Sequence, residues 1–334
     1  PYGYNSFYVD ATPYLKAGQP NELAVRLENY EESSRWYPGA GIYRHVRLVK
    51  TSQVHVDHWG VFITTPQISD KEAKAVISVK LRNHLPDPVK GHYAVSVYEL
   101  DAEDRVGAEV AKCKSLSLNL PADGTLEDGK KQVDTYEVPF GFRTIRFTHD
   151  NGFLLNGKRV QIQGTCNHHD LGALGTAVNK VALERQLRIL KSFGCNALRT
   201  SHNIPAPELL DLADKMGFLV MDEAFDCWKK GKQPGDYGSL FEEWHVKDLE
   251  ALVCRDRNHP SVILWSTGNE VSEQYTPELG IARYLTDVVH RFDKTRPVTF
   301  GASYPSKSAM NGTELQVDVH GMNYAAGVYG GPHF

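Results

Sequence analysis

The sequence has no long apolar run and no block of positive charge. No stretch approaches the roughly 18 consecutive apolar residues that a membrane-spanning helix requires. The chain carries 37 lysines and arginines against 41 aspartates and glutamates, so its formal net charge of −4 leaves no basic surplus to attract nucleic acid. We therefore expect neither a membrane span nor a nucleic-acid partner.

Cysteine is also scarce. The 5 cysteines among 334 residues are scattered and odd in number, which predicts free thiols rather than a disulfide framework. The sequence begins without a methionine or a recognisable signal peptide and ends soon after a strand-like segment. We therefore interpret it as an interior piece of a longer protein. Its compartment is left open.

The first 142 residues contain short segments in which apolar and polar residues alternate, separated by proline and glycine. This alternation predicts β-strands. The predicted strands are residues 7–10, 21–27 and 43–49, followed by 54–56, 61–64, 75–79, 93–98 and 116–118. Turn signals such as Ala122-Asp123-Gly124 are spaced as in an immunoglobulin-like sandwich. Residues 50–142 are therefore predicted to form one such sandwich, without a catalytic cluster.

After residue 142 the pattern changes to strands alternating with amphipathic helices, which is typical of βα units and a parallel sheet. Asn156-Gly157 predicts a tight hairpin turn just before this region. The predicted parallel strands are residues 160–164, 196–199, 218–221, 261–265, 298–300 and 317–320. We expect about six of the eight strands of a (β/α)8 TIM barrel. The alternative is a doubly wound sheet, but no glycine-rich phosphate loop follows the first strand.

Residues 255–270, RDRNHPSVILWSTGNE, are the most informative stretch. Pro260 ends a helix, and the apolar run 262–265 predicts a strand buried on both faces. Asn269 and Glu270 follow at its carboxyl end, where an α/β barrel places its catalytic residues. From this position alone, Glu270 is either a proton donor or a cap of the next helix.

Polar residues also follow the other predicted strands. His168, His169 and Asp170 follow the first strand, where three hypotheses compete: a metal site, a sugar contact by one of them, or a structural role. Successive strand residues face opposite ways, which disfavours a shared metal. Arg199 and His202 follow the second strand, where they can orient carboxylates and bind hydroxyl groups.

The third predicted strand runs into Asp222 and Glu223, which can bind hydroxyl groups or hold an arginine. Two nucleophile hypotheses are weaker. Ser201 lacks the nucleophile elbow expected of a serine hydrolase, and Cys227 has no visible activating neighbour.

The stretch 255–270 resembles the acid/base signature of glycoside hydrolase family 2, the family of β-galactosidases, β-glucuronidases and β-mannosidases. The resemblance implies that Glu270 is the general acid/base and that Asn269 binds the sugar 2-hydroxyl. Residues 34–48, SRWYPGAGIYRHVRL, resemble the end of the family's amino-terminal jelly-roll domain. The implied domains are the last part of a jelly roll (1–49), an immunoglobulin-like sandwich (50–142) and an incomplete TIM barrel (143–334).

The resemblance also implies further site residues. Residues 196–202, NALRTSH, are similar to a second family signature, which assigns substrate contacts to Arg199 and His202. Further substrate-binding positions implied by the family are His169, Asp222, Glu223 and Tyr324. Tyr324 takes the place of the family's tyrosine that hydrogen-bonds the nucleophile.

No cofactor is expected. Some family members bind magnesium beside the acid/base through a Glu-x-His pair, but Cys227 and Lys229 stand at the corresponding positions and are poor magnesium ligands. Magnesium or sodium is therefore not supported by these residues. A carbohydrate substrate is the expected partner, and a homo-oligomer stays open.

A retaining glycosidase needs a second carboxyl group about 5–5.5 Å from the first. In the family this nucleophilic glutamate ends the seventh strand, which would lie after residue 334. We predict a retaining β-glycosidase, most like bacterial β-galactosidases, and expect residues 1–334 alone to be inactive. The alternatives are a β-glucuronidase of the same family and a non-catalytic carbohydrate-binding protein on the same scaffold.

Overall fold

The computed structural model describes residues 2–36, 39, 41–69, 71–120, 134–277, 280–303 and 311–324. The chain divides into two compact units. One is Val46–Thr144, and the other joins Pro1–His45 to Ile145–Phe334. Within the described ranges, no helix is long and apolar enough to cross a membrane.

The unit Val46–Thr144 is built from antiparallel strands. They are β1 (Val54–Ile68), β2 (Ala73–Asn83), β3 (Val89–Tyr93), β4 (Ser96–Leu100), β5 (Val106–Lys112) and β6 (Leu116–Leu120). β1 pairs with β2, β3 with β6, and β4 with β5. The predicted strand 93–98 is interrupted after Tyr93. The predicted turn at residues 122–124 lies outside the described residues, and the immunoglobulin-like arrangement stays a prediction.

A bulge joins the two short strands predicted at 54–56 and 61–64 into the single strand β1. The register against β2 shifts between Val56 and Val61, and Trp59 has a φ of 50°. At Gly60 a Cβ atom would lie 2.7 Å from the carbonyl oxygen of Asp57. The bulge therefore needs a residue without a side chain at Gly60.

The strands predicted in the first 49 residues are wrong. The described part of residues 2–49 contains no strand and only one short 3-10 helix, Thr12–Tyr14. The apolar side chains of Phe7, Leu23 and Val46 are largely exposed. An alternating pattern forms a strand only where a neighbouring strand accepts its backbone hydrogen bonds, and these segments have no such neighbour among the described residues.

The predicted hairpin at Asn156-Gly157 is confirmed. An antiparallel sheet contains β7 (Ile145–Thr148), β8 (Gly152–Leu155) and β9 (Lys158–Arg159). Asn156 and Gly157 connect β8 to β9 with φ values of 51° and 74°, the left-handed pair that a two-residue hairpin turn requires.

The described residues that follow form a six-stranded parallel sheet with helices between its strands. The strands are β10 (Gly164–Asn167), β11 (Ala197–Thr200), β12 (Leu219–Glu223), β13 (Val262–Asn269), β14 (Val298–Ala302) and β15 (Gly321–Met322). The helices are α1 (Lys180–Ser192), α2 (Pro207–Met216), α3 (Phe241–Asp256) and α4 (Ile281–Phe292). The spatial order of the strands follows the chain, which is the order of a barrel and not of a doubly wound sheet.

The first and last strands each begin four residues later than predicted. Before β10, the N–H of Gln163 is bound by the side chain of Asn196 at 2.8 Å instead of by a neighbouring strand. Before β15, the N–H groups of Asp318 and Val319 both bond to the carbonyl oxygen of Val298. Both segments are therefore tied to the sheet without continuing its ladder.

Local signals explain the ends of the helices. The side chain of Asn179 accepts a bond from the N–H of Ala182 at the start of α1. Gly217 ends α2 in the left-handed conformation, with a φ of 73°. The apolar face of α1 is buried at Leu183 and Leu187, but Phe193, just after the helix, is 80% exposed.

Strand β13 is buried along its whole length, as its apolar run predicted. Val262 and Trp265 belong to the larger apolar cluster, which includes residues of α3 and α4. Ile263 and Leu264 belong to a second apolar cluster, with Phe153. Two apolar clusters thus cover the first half of β13.

Candidate active site

A buried carboxylate, Glu223 at the end of β12, lies at the centre of the candidate site. It is 0% exposed and forms two parallel bonds with Arg199 from β11, Nε to Oε2 at 2.8 Å and Nη2 to Oε1 at 3.0 Å. Burial alone would lower the pKa of Arg199, but the Glu223 carboxylate holds that pKa above its ordinary value. The two parallel bonds fix the pair in a planar geometry.

Three further groups hold Glu223. The Nδ1 atom of His202 lies 2.7 Å from Oε1, and the hydroxyl of Ser266 donates to Oε2 at 2.6 Å. The backbone N–H of Glu223 donates to the hydroxyl of Thr200 at 2.8 Å. Because its oxygens are all engaged, Glu223 orients Arg199 and His202 and is not placed to react itself.

Asn269, the last residue of β13, is connected to this ion pair. Its Oδ1 atom accepts bonds from Arg199 Nη2 at 2.9 Å and from Asn323 Nδ2 at 3.0 Å. Its Nδ2 atom donates to Asp226 Oδ1 at 3.1 Å. The amide is therefore held on both sides by charged or amide partners.

Glu270 follows directly and is half-buried, with a φ of 45°. Its N–H donates to the carbonyl oxygen of Gly301 at 2.6 Å, and its Oε1 atom accepts a bond from Asn323 Nδ2 at 2.9 Å. The 3-10 helix that follows, Ser272–Tyr275, has Val271 at its N-cap and no side-chain cap. The helix-capping alternative for Glu270 is therefore wrong, and its carboxyl group lies at the mouth of the site.

Asp222 does not join this group. Adjacent strand residues face opposite sides of a sheet, so the fully buried Asp222 faces Asp256 and Arg255 of α3 while Glu223 faces the site. Burial and the Asp256 carboxylate raise the pKa of Asp222 well above its ordinary value. This position does not support the predicted sugar contact of Asp222.

The two histidines after β10 are separated in the same way. The ring of His168 lies 4.7 Å from that of Trp36 and 5.3 Å from that of His202, whereas the ring of His169 lies 4.8 Å from that of Tyr4. His168, and not the predicted His169, is therefore the histidine beside the candidate site. Burial and the neighbouring His202 lower the pKa of His168, which favours its neutral form.

Tyr324 lies at the edge of the site, half-exposed and with a φ of 59°. Its neighbour Asn323, which the sequence did not single out, is the residue that reaches both Asn269 and Glu270. The only feature of the sequence that pointed to Asn323 was its position beside Tyr324, a predicted substrate contact.

Three charged residues that the sequence analysis missed meet beside Asn269. Asp226 accepts two bonds from Arg35, at 3.0 and 2.6 Å, and one from Lys232 Nζ at 2.9 Å. Burial alone would raise the pKa of Asp226, but these two cations hold it below its ordinary value. Arg35 lies in the stretch 34–48 and Asp226 lies three residues after β12, but nothing in the sequence at either place shows that the two meet.

The alternative nucleophiles gain no support. Burial raises the pKa of the Cys227 thiol to about 12, so this cysteine is protonated at neutral pH. His202 is bound through Nδ1 to Glu223, and Lys229 pairs with Glu242. Across the described ranges, no group of three or more histidines, cysteines, aspartates or glutamates is arranged to hold a metal ion.

Comparisons with known proteins agree on one family. Residues 147–330 match the family model described as "Glycosyl hydrolases family 2, TIM barrel domain". The chain is 40% identical to Beta-galactosidase BoGH2A of Bacteroides ovatus, over 97% of this chain and 44% of that protein. It is 37% identical to a putative beta-glucuronidase of Formosa agariphila, over 93% of this chain and 31% of that protein.

Solved structures give the same result. A glycosyl hydrolase family 2 member from Bacteroides cellulosilyticus superposes with a TM-score of 0.84 at 36% identity, covering 97% of this chain and 46% of that one. The chain thus spans less than half the length of the relatives reported above.

Proposed function

The chain belongs to glycosyl hydrolase family 2, and from this membership we propose that the protein hydrolyses terminal β-linked sugars with Glu270 as its general acid/base. One observation carries the proposal. Glu270 stands at the carboxyl end of the fully buried strand β13, half-buried at the mouth of the site, with its carboxyl group bound to Asn323. A carboxylic acid in this position can reach the oxygen of a bound glycoside.

The proposed reaction is a double displacement with retention. Glu270 protonates the glycosidic oxygen as it leaves and then removes a proton from the water that releases the sugar. The second carboxyl group, the nucleophile, is expected from the family resemblance to be a glutamate after residue 334. Glu223 is not proposed for that role, because Arg199, His202 and Ser266 already occupy its oxygens.

The residues around Glu270 are proposed to bind the sugar hydroxyl groups. Asn269 is assigned to the 2-hydroxyl, and Arg199 and His202, both fixed by Glu223, line the adjacent wall. His168 replaces His169 in this proposal, since its ring is the one beside His202. Tyr324 keeps its proposed place at the edge of the site.

We propose a β-D-galactoside as the first substrate, because the 40%-identical relative is named a β-galactosidase. A β-glucuronide is the second candidate, because the 37%-identical relative is named a putative β-glucuronidase. The antiparallel strand pairs of Val46–Thr144 support the proposal that this unit is an immunoglobulin-like sandwich, and the resemblance of residues 34–48 supports a jelly-roll origin for the first 49 residues.

Rescue by azide tests the acid/base assignment. The intact protein with Glu270→Ala is assayed on a nitrophenyl β-galactoside and a nitrophenyl β-glucuronide, with and without sodium azide. If Glu270 is the acid/base, azide restores turnover and the product is the β-glycosyl azide, because azide needs no general base to attack the glycosyl intermediate. Glu250→Gln, an exposed position on α3, is the matched control and should behave as wild type. Unchanged activity of Glu270→Ala without azide would overturn the assignment.

A further inference from the structure

Asp226 is the meeting point of three donors, of which Lys232 is near in sequence while Asn269 and Arg35 are far away. It is largely buried, and it accepts bonds from Arg35, Lys232 and Asn269. Arg35 is 191 residues away in sequence and belongs to the amino-terminal segment, outside the alternating strands and helices. Two cations and one amide therefore share one carboxylate.

This arrangement determines which way the Asn269 amide points. An asparagine amide offers two acceptor sites on its oxygen and two N–H donors. The oxygen accepts from Arg199 and Asn323, while one N–H donates to Asp226. The reversed orientation would set the amide N–H groups against the Arg199 guanidinium and the oxygen against the Asp226 carboxylate, so charge disfavours it.

Three of the four hydrogen-bonding positions of Asn269 are thus filled by described residues, and one N–H is left. That remaining group can donate to a sugar hydroxyl but cannot accept from one. The charge of Asp226 keeps this N–H directed away from Arg199, because without that carboxylate the amide has no anionic partner to hold its nitrogen.

Lys232 extends the same control to Glu270. Its Nζ atom donates to Asp226 at 2.9 Å and also to the carbonyl oxygen of Asn269 at 2.6 Å. That carbonyl belongs to the peptide joining Asn269 to Glu270, whose N–H is bound by Gly301. The peptide is therefore held from both sides, directly before the proposed acid/base.

We propose that Asp226, clamped by Arg35 and Lys232, is a positioning residue that fixes the Asn269 amide to donate a hydrogen bond to the sugar 2-hydroxyl in the transition state. The proposal rests on the proposed function, which assigns Asn269 to that hydroxyl. It adds a new role for the amino-terminal segment, since Arg35 supplies part of the clamp. Trp36, beside it, contacts the rings of His168 and His202.

Hydrogen bonds to the 2-hydroxyl strengthen in the glycosidase transition state, so their loss lowers kcat more than it raises KM. The test compares a nitrophenyl β-glycoside with its 2-deoxy analogue in the intact protein. The variants are Asp226→Asn, Arg35→Gln, Arg35→Lys and Asn269→Ala. The control is Arg26→Gln, an exposed arginine of the same segment that pairs with Glu28.

For Asp226→Asn, we expect kcat on the ordinary glycoside to fall roughly 100-fold, as for a misplaced catalytic-site group, with little change on the 2-deoxy analogue. Arg35→Gln should also lower kcat on the ordinary glycoside and not on the 2-deoxy analogue, but by a smaller factor. Arg35→Lys should retain most of the activity. The Arg35 side chain is 37% exposed, so its replacement leaves the fold intact even if Asp226→Asn does not fold.

Two other outcomes are separable. Suppose that Asn269→Ala lowers kcat on the ordinary glycoside but not on the 2-deoxy analogue, whereas Asp226→Asn and Arg35→Gln lower kcat on both equally. The positioning role is then wrong and the proposed function stands. If Asn269→Ala itself slows both substrates equally, the 2-hydroxyl assignment fails and the positioning role fails with it.

Discussion

The guanidinium of Arg199 and the carboxylate of Glu223 form a bidentate ion pair, with distances of 2.8 and 3.0 Å, at the carboxyl ends of neighbouring parallel strands. The Glu223 side chain is fully buried and the Arg199 side chain is 13% exposed. Arg199 also reaches the amide of Asn269, so the ion pair connects the strand that ends in Glu223 to the strand that leads to Glu270.

Removing one charge of this pair should damage both stability and activity. For Glu223→Gln we expect a loss of about 3–5 kcal/mol in the free energy of unfolding, because a buried guanidinium is left without its anion. Urea unfolding measures the loss, and steady-state kinetics should show activity falling with it. A loss well below 1 kcal/mol would contradict the structural role of the pair.

A methyl group at Gly301 on β14 should displace the side chains that line the site. A Cβ atom there would lie 2.6 Å from Arg199 Nη2 and 3.0 Å from Asn323 Oδ1. We expect Gly301→Ala to lower kcat/KM by roughly 100-fold, because both side chains that donate to the Asn269 oxygen must move. Gly107→Ala is the matched control, since its Cβ atom would meet only Glu99, at 3.5 Å. Equal activity of the two variants would contradict the contact.

His168 and His169 should separate in function as they do in space. His168→Ala is expected to lower kcat/KM, because the ring beside His202 and Trp36 is lost. His169→Ala should mainly lower the melting temperature, since its ring packs on Tyr4 and Tyr43. Kinetics and thermal unfolding of both variants test this, and the reverse pattern would restore the original assignment of His169.

Asp222 should make stability depend on pH. Its pKa is raised in the folded protein, so the native state keeps a proton that the unfolded chain has released. The contribution of protonated Asp222 to the free energy of unfolding is fully present below the ordinary aspartate pKa and is lost as pH rises through the higher pKa of the folded state. Asp222→Asn, which cannot ionise, should therefore gain melting temperature relative to wild type as pH increases.

Melting curves from pH 4 to 8 measure this difference. Asp150→Asn, an exposed aspartate, should follow wild type at every pH. A gap between Asp222→Asn and wild type that narrows with rising pH would show that Asp222 is ionised in the folded protein.

Much of the structure after residue 144 could be predicted, because the sequence features that determine it are local. The burial of β13, the turn at Asn156-Gly157 and the left-handed Gly217 each follow from a few neighbouring residues. The strand ends also brought Arg199, His202, Glu223, Asn269 and Glu270 to the same place. The strands predicted before residue 50 failed because pairing with another strand is not visible in a local pattern.

The remaining differences come from direction and distance. Asp222 and Glu223 are adjacent, and only the register of β12 decides which one faces the site. His168 and His169 are also adjacent, and only the direction of their side chains after β10 decides which one lies beside the site. Arg35, Asp226, Lys232 and Asn323 were missed because each has a contact with a residue that is far away in sequence.

The leaving-group dependence of Glu270→Gln tests the central claim most directly. The intact protein and this variant are compared on two β-galactosides, one with an activated nitrophenyl leaving group and one with an alkyl leaving group, with Glu250→Gln as the control. A general acid matters most for a poor leaving group, so formation of the glycosyl intermediate should be slowed far more for the alkyl glycoside than for the nitrophenyl one. Equal rates for the variant and wild type on both substrates would show that Glu270 is not the acid/base.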